Sequence, residues 1–167
     1  SLLPLVQTPT SPLTNTTHLF IVRHGETSWN VHQILQGQLD VPLNECGHNQ
    51  ALAAGKLIAE MVNDLATPKN IPFGIISSDL RRPYATAVAI SSALHLNRPP
   101  FPESRLRETH LGSWQGRSWD DVEHTKGDSE DAHKWRLNPD HPAGDGEGDL
   151  CKMGLTLLDA LDTAIVM

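Results

Sequence analysis

The most constraining feature of this sequence is a short apolar segment that ends in a turn of basic and small residues. His18–Val22 is rich in β-favouring residues, and Arg23, His24 and Gly25 follow it without a spacer. A run this short and apolar indicates a strand buried in a parallel sheet. Ligands of open α/β sheets bind beyond the carboxyl ends of such strands. The sequence therefore predicts a binding site at residues 23–25.

Helix and strand patterns alternate along the rest of the chain. After the first strand, the predicted elements are a short helix over 26–32, a long amphipathic helix over 45–66 with Asn44 as its cap, a strand over 72–76, a helix from the Ser77-Ser78-Asp79 caps through Leu94, a brief strand near Ser104–Leu106, one or two polar helices over Trp119–Trp135, and a last helix over Leu150–Ile165. This order predicts an α/β fold of three α/β/α layers with a mostly parallel sheet.

Length and local composition indicate one domain. The 167 residues suffice for a single core, and residues 1–17 are rich in Thr, Ser and Pro without periodicity. We expect a flexible lead-in over 1–17 and one domain over 18–167. The sequence does not indicate an oligomeric state.

Charge and cysteine content restrict the partners. The net charge of −7 argues against nucleic acid and anionic membranes, because both favour clustered Lys and Arg. No apolar stretch approaches the roughly 18 to 20 residues that span a bilayer. Cys46 and Cys151 have no metal-ligand spacing, so we expect no metal and a reducing, cytoplasmic location. A small phosphorylated substrate remains compatible, since a few arginines in one pocket can bind phosphate.

His24 is the candidate for phosphate chemistry. A histidine at a strand end can present a ring nitrogen to phosphorus, and Arg23 can neutralise the phosphate oxygens. Gly25 permits a tight turn with no side chain over the phosphate. An isolated Arg-His-Gly run is more often an ordinary surface loop, so the other motifs decide the interpretation.

Five ordered blocks of sequence together resemble the histidine phosphatase superfamily, in its phosphoglycerate-mutase-like branch. The blocks are Arg23–Asn30, Leu35–Gly47, Ser77–Ala87, Leu106–Gly116 and Pro142–Glu147. The resemblance covers about residues 18 to 165. It implies phosphoryl transfer through a phosphohistidine, with no cofactor.

The resemblance also implies a role for each matching residue. His24 would accept the phosphoryl group, while Arg23 and Arg82 would bind its oxygens. Glu108 would act as general acid and base, and the neighbouring phosphate would raise its pKa. Neutral hydrogen bonds to the substrate are expected from a further set, Thr27, Asn30, Gln36 and Gly37.

Some assignments have simpler alternatives. Glu108 could instead form a surface ion pair with Arg105 or Arg107. Arg81 is interpreted as a solvated helix residue, and His110 as part of the pocket wall. Trp29 and Trp114 are expected to brace the pocket by packing.

The chain departs from the family pattern at its C-terminus. Family members carry a second catalytic histidine in a Ser-His-Gly-Gly-like run after the helix that we place at 150–165, and this sequence has no such run. We therefore expect the domain to be incomplete, with its last strand and helix missing and an interior sheet edge uncovered. The alternative is that this strand begins at Ile165-Val166. Gly148 also stands where the family usually has serine.

The resemblance favours a phosphatase of small phosphate monoesters. Leu111 occupies the place of a mutase tyrosine, and Trp119 falls near an expected lysine. A less basic cover over the pocket admits water more readily, which favours hydrolysis over phosphoglycerate-mutase-type transfer. The missing second histidine keeps a third alternative open, a catalytically inactive module that binds a phospho-ligand or a protein.

Overall fold

The computed structural model describes residues 18–64, 74–137 and 163–166. The helices and strands are β1 (Phe20–Arg23), α1 (Ser28–Val31), α2 (Glu45–Asp64), β2 (Ile75–Ser77), α3 (Arg81–Ala93), β3 (Phe101–Pro102), α4 (Trp119–His124), α5 (Asp128–Leu137) and β4 (Thr163–Val166). Two single-turn 3-10 helices, Ser104–Leu106 and Gly112–Trp114, lie between β3 and α4.

Four strands of the described residues form one sheet in the order β1-β4-β2-β3. β2 pairs with β3 in parallel, whereas β4 is antiparallel to both β1 and β2. Three strands thus run in one direction and β4 runs against them. The predicted α/β class with a mostly parallel sheet is confirmed.

The strand beside β1 is present, and the expectation of an uncovered edge there was wrong. In β4, Ala164 is paired with Val22 on one side and with Ser77 on the other. The predicted last helix also does not extend through 163–165, which are extended. A strand in this position pairs backbone groups of β1 and β2 that would otherwise lack partners. The rest of that helix lies outside the described residues, as do the predicted lead-in and the Pro142–Glu147 block.

The brief strand predicted near Ser104–Leu106 was also misplaced. The strand is Phe101–Pro102, which begins three residues earlier, and Ser104–Leu106 forms a 3-10 turn. The Glu103 carboxylate accepts a hydrogen bond from the backbone N–H of Arg105 at 3.0 Å. This local acceptor closes a turn where the apolar pattern alone suggested extension.

Helices α2 and α3 cover one face of the sheet. Their buried contact with β2 consists of Ile58, Ile75, Ala87 and Ile90, and Phe20 and Val22 of β1 pack against it. This core places the start of α3 near the end of β1, where the candidate site lies.

A second core supports the segment that carries Glu108. Trp114 is fully buried among Leu111, Val122 and Ala132. Its indole N–H donates to Asp128 Oδ1 at 3.1 Å, which satisfies the polar end of the ring. The packing predicted for Trp114 is therefore seen, with α4 and α5 as its surroundings.

Candidate active site

The turn after β1 is held between the two large helices. The backbone N–H of Gly25 donates to Thr86 Oγ1 at 3.1 Å, and the Thr86 hydroxyl donates to the carbonyl oxygen of Arg82 at 3.0 Å. On the other side, a Cβ atom at Gly25 would lie 2.3 Å from the carbonyl oxygen of Gly47 in α2. A side chain at residue 25 would push α2 away from the turn.

His24 has a defined ring orientation. Its Nδ1 lies 2.6 Å from the carbonyl oxygen of Gly25. A carbonyl only accepts, so Nδ1 carries the hydrogen and the lone pair of the neutral ring is on Nε2. Burial lowers the pKa of His24 to about 4, and the positive charges of Arg82 and Arg23 add to this effect, while the bond to Gly25 opposes it. The ring is thus neutral near pH 7, as a nucleophile must be.

Thr27 links the turn that contains His24 to α1 and to the loop that contains Gln36. Its side chain accepts from the backbone N–H of Asn30, and Asn30 Oδ1 accepts from the backbone N–H of Thr27 at 2.9 Å. This capping box starts α1. The Thr27 hydroxyl also lies 3.0 Å from Gln36 Oε1. Thr27, Asn30 and Gln36 therefore lie together beside the turn that contains His24.

Arg82 joins three parts of the chain while fully buried in the first turn of α3. Nη1 donates to the carbonyl oxygen of Leu39, and Nη2 donates to that of Gly37, both at 2.8 Å. Nη2 also lies 3.0 Å from Glu108 Oε2. Gly37 adopts a left-handed φ of 49° at this contact. The guanidinium thus connects α3, the loop after α1 and the Glu108 segment.

Glu108 is an ion-pair partner of Arg82, and the alternative pairing with its sequence neighbours is not observed. Arg105 pairs with Glu103 at 2.7 Å, and Arg107 makes a two-point contact with Asp79 at 2.6 and 2.5 Å. Burial raises the pKa of Glu108 to about 7, although Arg82 and Arg23 pull it down. A carboxyl with such a pKa can both give and take a proton near neutral pH.

Arg23 is exposed at the end of β1, and its charge acts on both His24 and Glu108. Arg81 is exposed on α3, as expected for a solvated helix residue. His110 is exposed too, and its Nδ1 accepts from the backbone N–H of Gly112 at 3.1 Å.

The structure gives roles to polar residues for which the sequence predicted none. The predicted caps at residues 77–79 do not begin α3. The N-cap position is Leu80, without a side-chain bond, and Asp40 Oδ1 accepts from the Arg81 N–H at 2.6 Å. Thr86 and Asp40 lie within the resembling blocks Ser77–Ala87 and Leu35–Gly47, but no role was predicted for either residue. Thr86 is one helical turn after Arg82, whereas Asp40 meets α3 from a loop 41 positions away.

The described residues contain neither a cluster of metal ligands nor a membrane-spanning helix. The regions 18–64, 74–137 and 163–166 contain no group of three His, Cys, Asp or Glu side chains that could hold a metal ion. Among the helices of these same regions, none combines the length and apolarity needed to cross a membrane.

The family model of the histidine phosphatase superfamily (branch 1) matches residues 19–162. This match spans most of the chain and includes every residue of the site described above. The chain therefore belongs to the histidine phosphatase superfamily.

Curated relatives include both phosphatases and mutases. The chain is 44% identical over 98 residues to glucosyl-3-phosphoglycerate phosphatase of Mycolicibacterium vanbaalenii, a match that covers 59% of this chain and 39% of that relative. It is 39% identical over 104 residues to metal-independent phosphoserine phosphatase of Arabidopsis thaliana, covering 62% and 40%. It is 36% identical over 131 residues to 2,3-bisphosphoglycerate-dependent phosphoglycerate mutase of Mycobacterium bovis, covering 78% and 49%. The matched regions thus span less than half of these relatives.

Solved structures confirm the fold. The structure of mycobacterial glucosyl-3-phosphoglycerate phosphatase in complex with VO3 matches with a TM-score of 0.63 and 33% identity, covering 78% of this chain and 59% of that one. A protein named Bacillus stearothermophilus YhfR matches with a TM-score of 0.57 and 30% identity, covering 77% and 58%.

Proposed function

We propose that this protein is a phosphatase that hydrolyses phosphate monoesters of small metabolites through a phosphohistidine on His24. The supporting observation is that the same site lowers the pKa of His24 and raises the pKa of Glu108. Near neutral pH the imidazole of His24 is neutral, and the pKa of Glu108 is close to 7. A nucleophile without a proton and a carboxyl able to donate one are what monoester cleavage needs.

In the first step, His24 Nε2 attacks phosphorus and the bond from phosphorus to the leaving-group oxygen breaks. The carboxyl proton of Glu108 passes to that oxygen, so the alcohol leaves neutral. Arg23 and Arg82 balance the charge that spreads over the phosphoryl oxygens. Hydrogen bonds from Asn30, Gln36 and Gly37 orient the group, while the buried Thr27 holds Asn30 and Gln36 in place through its own hydrogen bonds.

In the second step, water attacks the phosphorus of the phosphohistidine. The Glu108 carboxylate takes the proton from water, the bond from nitrogen to phosphorus breaks, and inorganic phosphate forms. His24 returns to its neutral state and Glu108 to its protonated state. Each turnover therefore needs no metal or other cofactor.

Hydrolysis is favoured over mutase-type transfer by the position of Leu111. This residue stands where the resemblance places a mutase tyrosine, and it is 3% exposed in the Trp114 core. An apolar side chain in that core supplies no hydroxyl to hold a bisphosphate in place. Mutase-type transfer is the second candidate, because phosphoglycerate mutases are among the relatives.

The test compares the full chain with its His24→Ala variant on p-nitrophenyl phosphate. We expect turnover by the parent chain, loss to background in the variant, and a covalent phosphate mapped to His24 after acid-free quenching. Phosphate release at equal rates from both proteins would support the inactive, ligand-binding alternative. A phosphoryl group on another residue would contradict the mechanism.

The Glu108→Gln variant tests whether Glu108 is the general acid. The kcat/KM of the parent chain should fall as the pH rises through about 7, because the donating proton of Glu108 is lost. The variant should lose about 10²- to 10⁴-fold in kcat/KM on an alkyl phosphate and show no such fall. An alkaline limb that persists in the variant would assign the proton to another group.

A further inference from the structure

The loop between Gln36 and Leu39 contacts three residues of the proposed machinery, Thr27, Arg82 and Glu108. The Gln36 side chain meets Thr27 beside the nucleophile turn. The carbonyl oxygens of Gly37 and Leu39 accept from Arg82. The side chain of Gln38 donates from Nε2 to the carbonyl oxygen of Glu108 at 3.2 Å. A shift of this loop would therefore move both the guanidinium and the acid.

Gln115 holds this loop through its side chain. Its Oε1 accepts from the backbone N–H of Gln38 at 2.7 Å. The same oxygen would lie 2.2 Å from a Cβ atom at Gly37, so the amide lies directly against the loop backbone. Close contact and a short hydrogen bond together fix the distance between Gln115 and the loop.

The backbone around Gln115 is itself anchored. The N–H of Gly116 donates to the carbonyl oxygen of Leu35 at 2.8 Å, and the N–H of Leu35 donates to the carbonyl oxygen of Arg117 at 2.9 Å. Trp114, the preceding residue, is fully buried. The side chain of Gln115 therefore extends from a rigid support, which makes it suited to positioning a neighbour.

We propose that Gln115 is a positioning residue of the phosphatase reaction, acting through the 36–39 loop on the placement of Glu108. The inference rests on the proposed function but not on the identity of the substrate. Without the acceptor oxygen, the loop is no longer tied at Gln38 N–H, and the carboxyl of Glu108 loses its fixed approach to the leaving group. Misplacement on the scale of an ångström can cost about a hundredfold in rate.

The decisive experiment compares Gln115→Met with Gln115→Glu in the full chain. Methionine has a similar length without the acceptor oxygen, whereas glutamate keeps an acceptor. We measure kcat/KM on p-nitrophenyl phosphate, whose leaving group needs little protonation, and on 2-glycerophosphate, whose alkoxide needs a proton. Gln115→Met should lose roughly tenfold to a hundredfold on 2-glycerophosphate and clearly less on p-nitrophenyl phosphate. Gln115→Glu should recover most of the 2-glycerophosphate rate.

An equal loss on both substrates, or no loss, would overturn the positioning role. If Gln115→Met does not fold, Gln38→Leu tests the same chain of contacts, because it removes the bond to the Glu108 carbonyl. It should show the same preferential loss on 2-glycerophosphate, and an unselective effect would contradict the inference.

A readout without turnover separates this inference from the proposed function. Hydrogen exchange of the Gln38 amide, followed by NMR, should be at least about tenfold faster in Gln115→Met than in the parent chain and in Gln115→Glu. If the parent chain is inactive, the phosphatase proposal fails. The exchange result still shows whether Gln115 holds the 36–39 loop. Unchanged exchange would show that Gln115 does not hold the loop.

Discussion

His24 and Glu108 lie in the same electrostatic environment and respond to it in opposite directions. Burial disfavours the charged form of each, so it lowers the pKa of the imidazole and raises that of the carboxyl. Arg82 and Arg23 reinforce the effect on His24 and oppose it on Glu108. Between about pH 4 and about pH 7, a neutral imidazole and a protonated carboxyl therefore coexist. This is the combination that the first proposed step requires.

The pKa of His24 also makes a prediction about stability. Its folded-state pKa of about 4 lies below the ordinary value of 6.5, so the unfolded chain binds the proton more tightly. The contribution of His24 to stability should therefore fall as the pH drops from 6.5 towards 4, by up to roughly 3 kcal/mol, while the raised pKa of Glu108 acts in the opposite direction over the same range. Urea unfolding of the parent chain and of His24→Asn at about pH 7 and about pH 4.5 isolates the His24 contribution, because Glu108 is present in both, and the variant should lose less stability than the parent. Parallel losses in both proteins would contradict the assignment.

At the scale of elements, the site depends on how closely a turn approaches a helix. The turn after β1 contacts the N-terminal part of α2 at Gly25 and Gly47, and it is tied to α3 through Thr86. A Cβ atom at Gly25 would lie 2.3 Å from a backbone oxygen, and one at Gly47 would lie 2.0 Å from another. Backbone atoms cannot move aside as a flexible side chain can, so the two elements would have to separate.

Gly25→Ala should therefore destabilise the fold, whereas Gly74→Ala should not. Overpacking at a site of this kind costs typically about 1 to 3 kcal/mol. Gly74 is exposed, and a Cβ atom added there would have no neighbour within 4 Å. Its substitution should therefore change the free energy of unfolding by no more than about 0.5 kcal/mol. Thermal unfolding of both variants beside the parent chain is the measurement, and equal midpoints for the two variants would refute the close-approach argument.

At the scale of the whole molecule, β4 connects β1 to the rest of the sheet. β4 lies between β1, which leads into His24, and β2, which leads towards α3 and Arg82. His24 and Arg82 thus follow strands that are connected through β4. Pairing on both sides also covers backbone groups of two strands at once.

A proline at Ala164 tests this arrangement. Proline has no N–H to donate and is excluded from central strands, so Ala164→Pro should unpair β4 from a neighbour. We expect the amides of β1 and β2 to lose protection from hydrogen exchange together. The amides of α4 and α5, which belong to the Trp114 core, should change less. Retained protection in β1 would mean that β4 does not support it.

The sequence by itself determined the nature of the site and most of the elements. The strand before His24, the long helix capped by Asn44 and the family resemblance of Arg82 and Glu108 were all readable, because strand and helix patterns and motif spacing are local properties of a chain. These parts of the prediction needed no knowledge of what packs where.

The tertiary structure decided which of these residues meet. Glu108 pairs with Arg82, 26 positions away, and not with Arg105 or Arg107 beside it. Asp40 supplies the acceptor at the start of α3, and β4 enters the sheet antiparallel between β1 and β2. Each of these outcomes depends on contacts between distant segments, and the free energy of such contacts comes from burial and pairing that no local pattern contains.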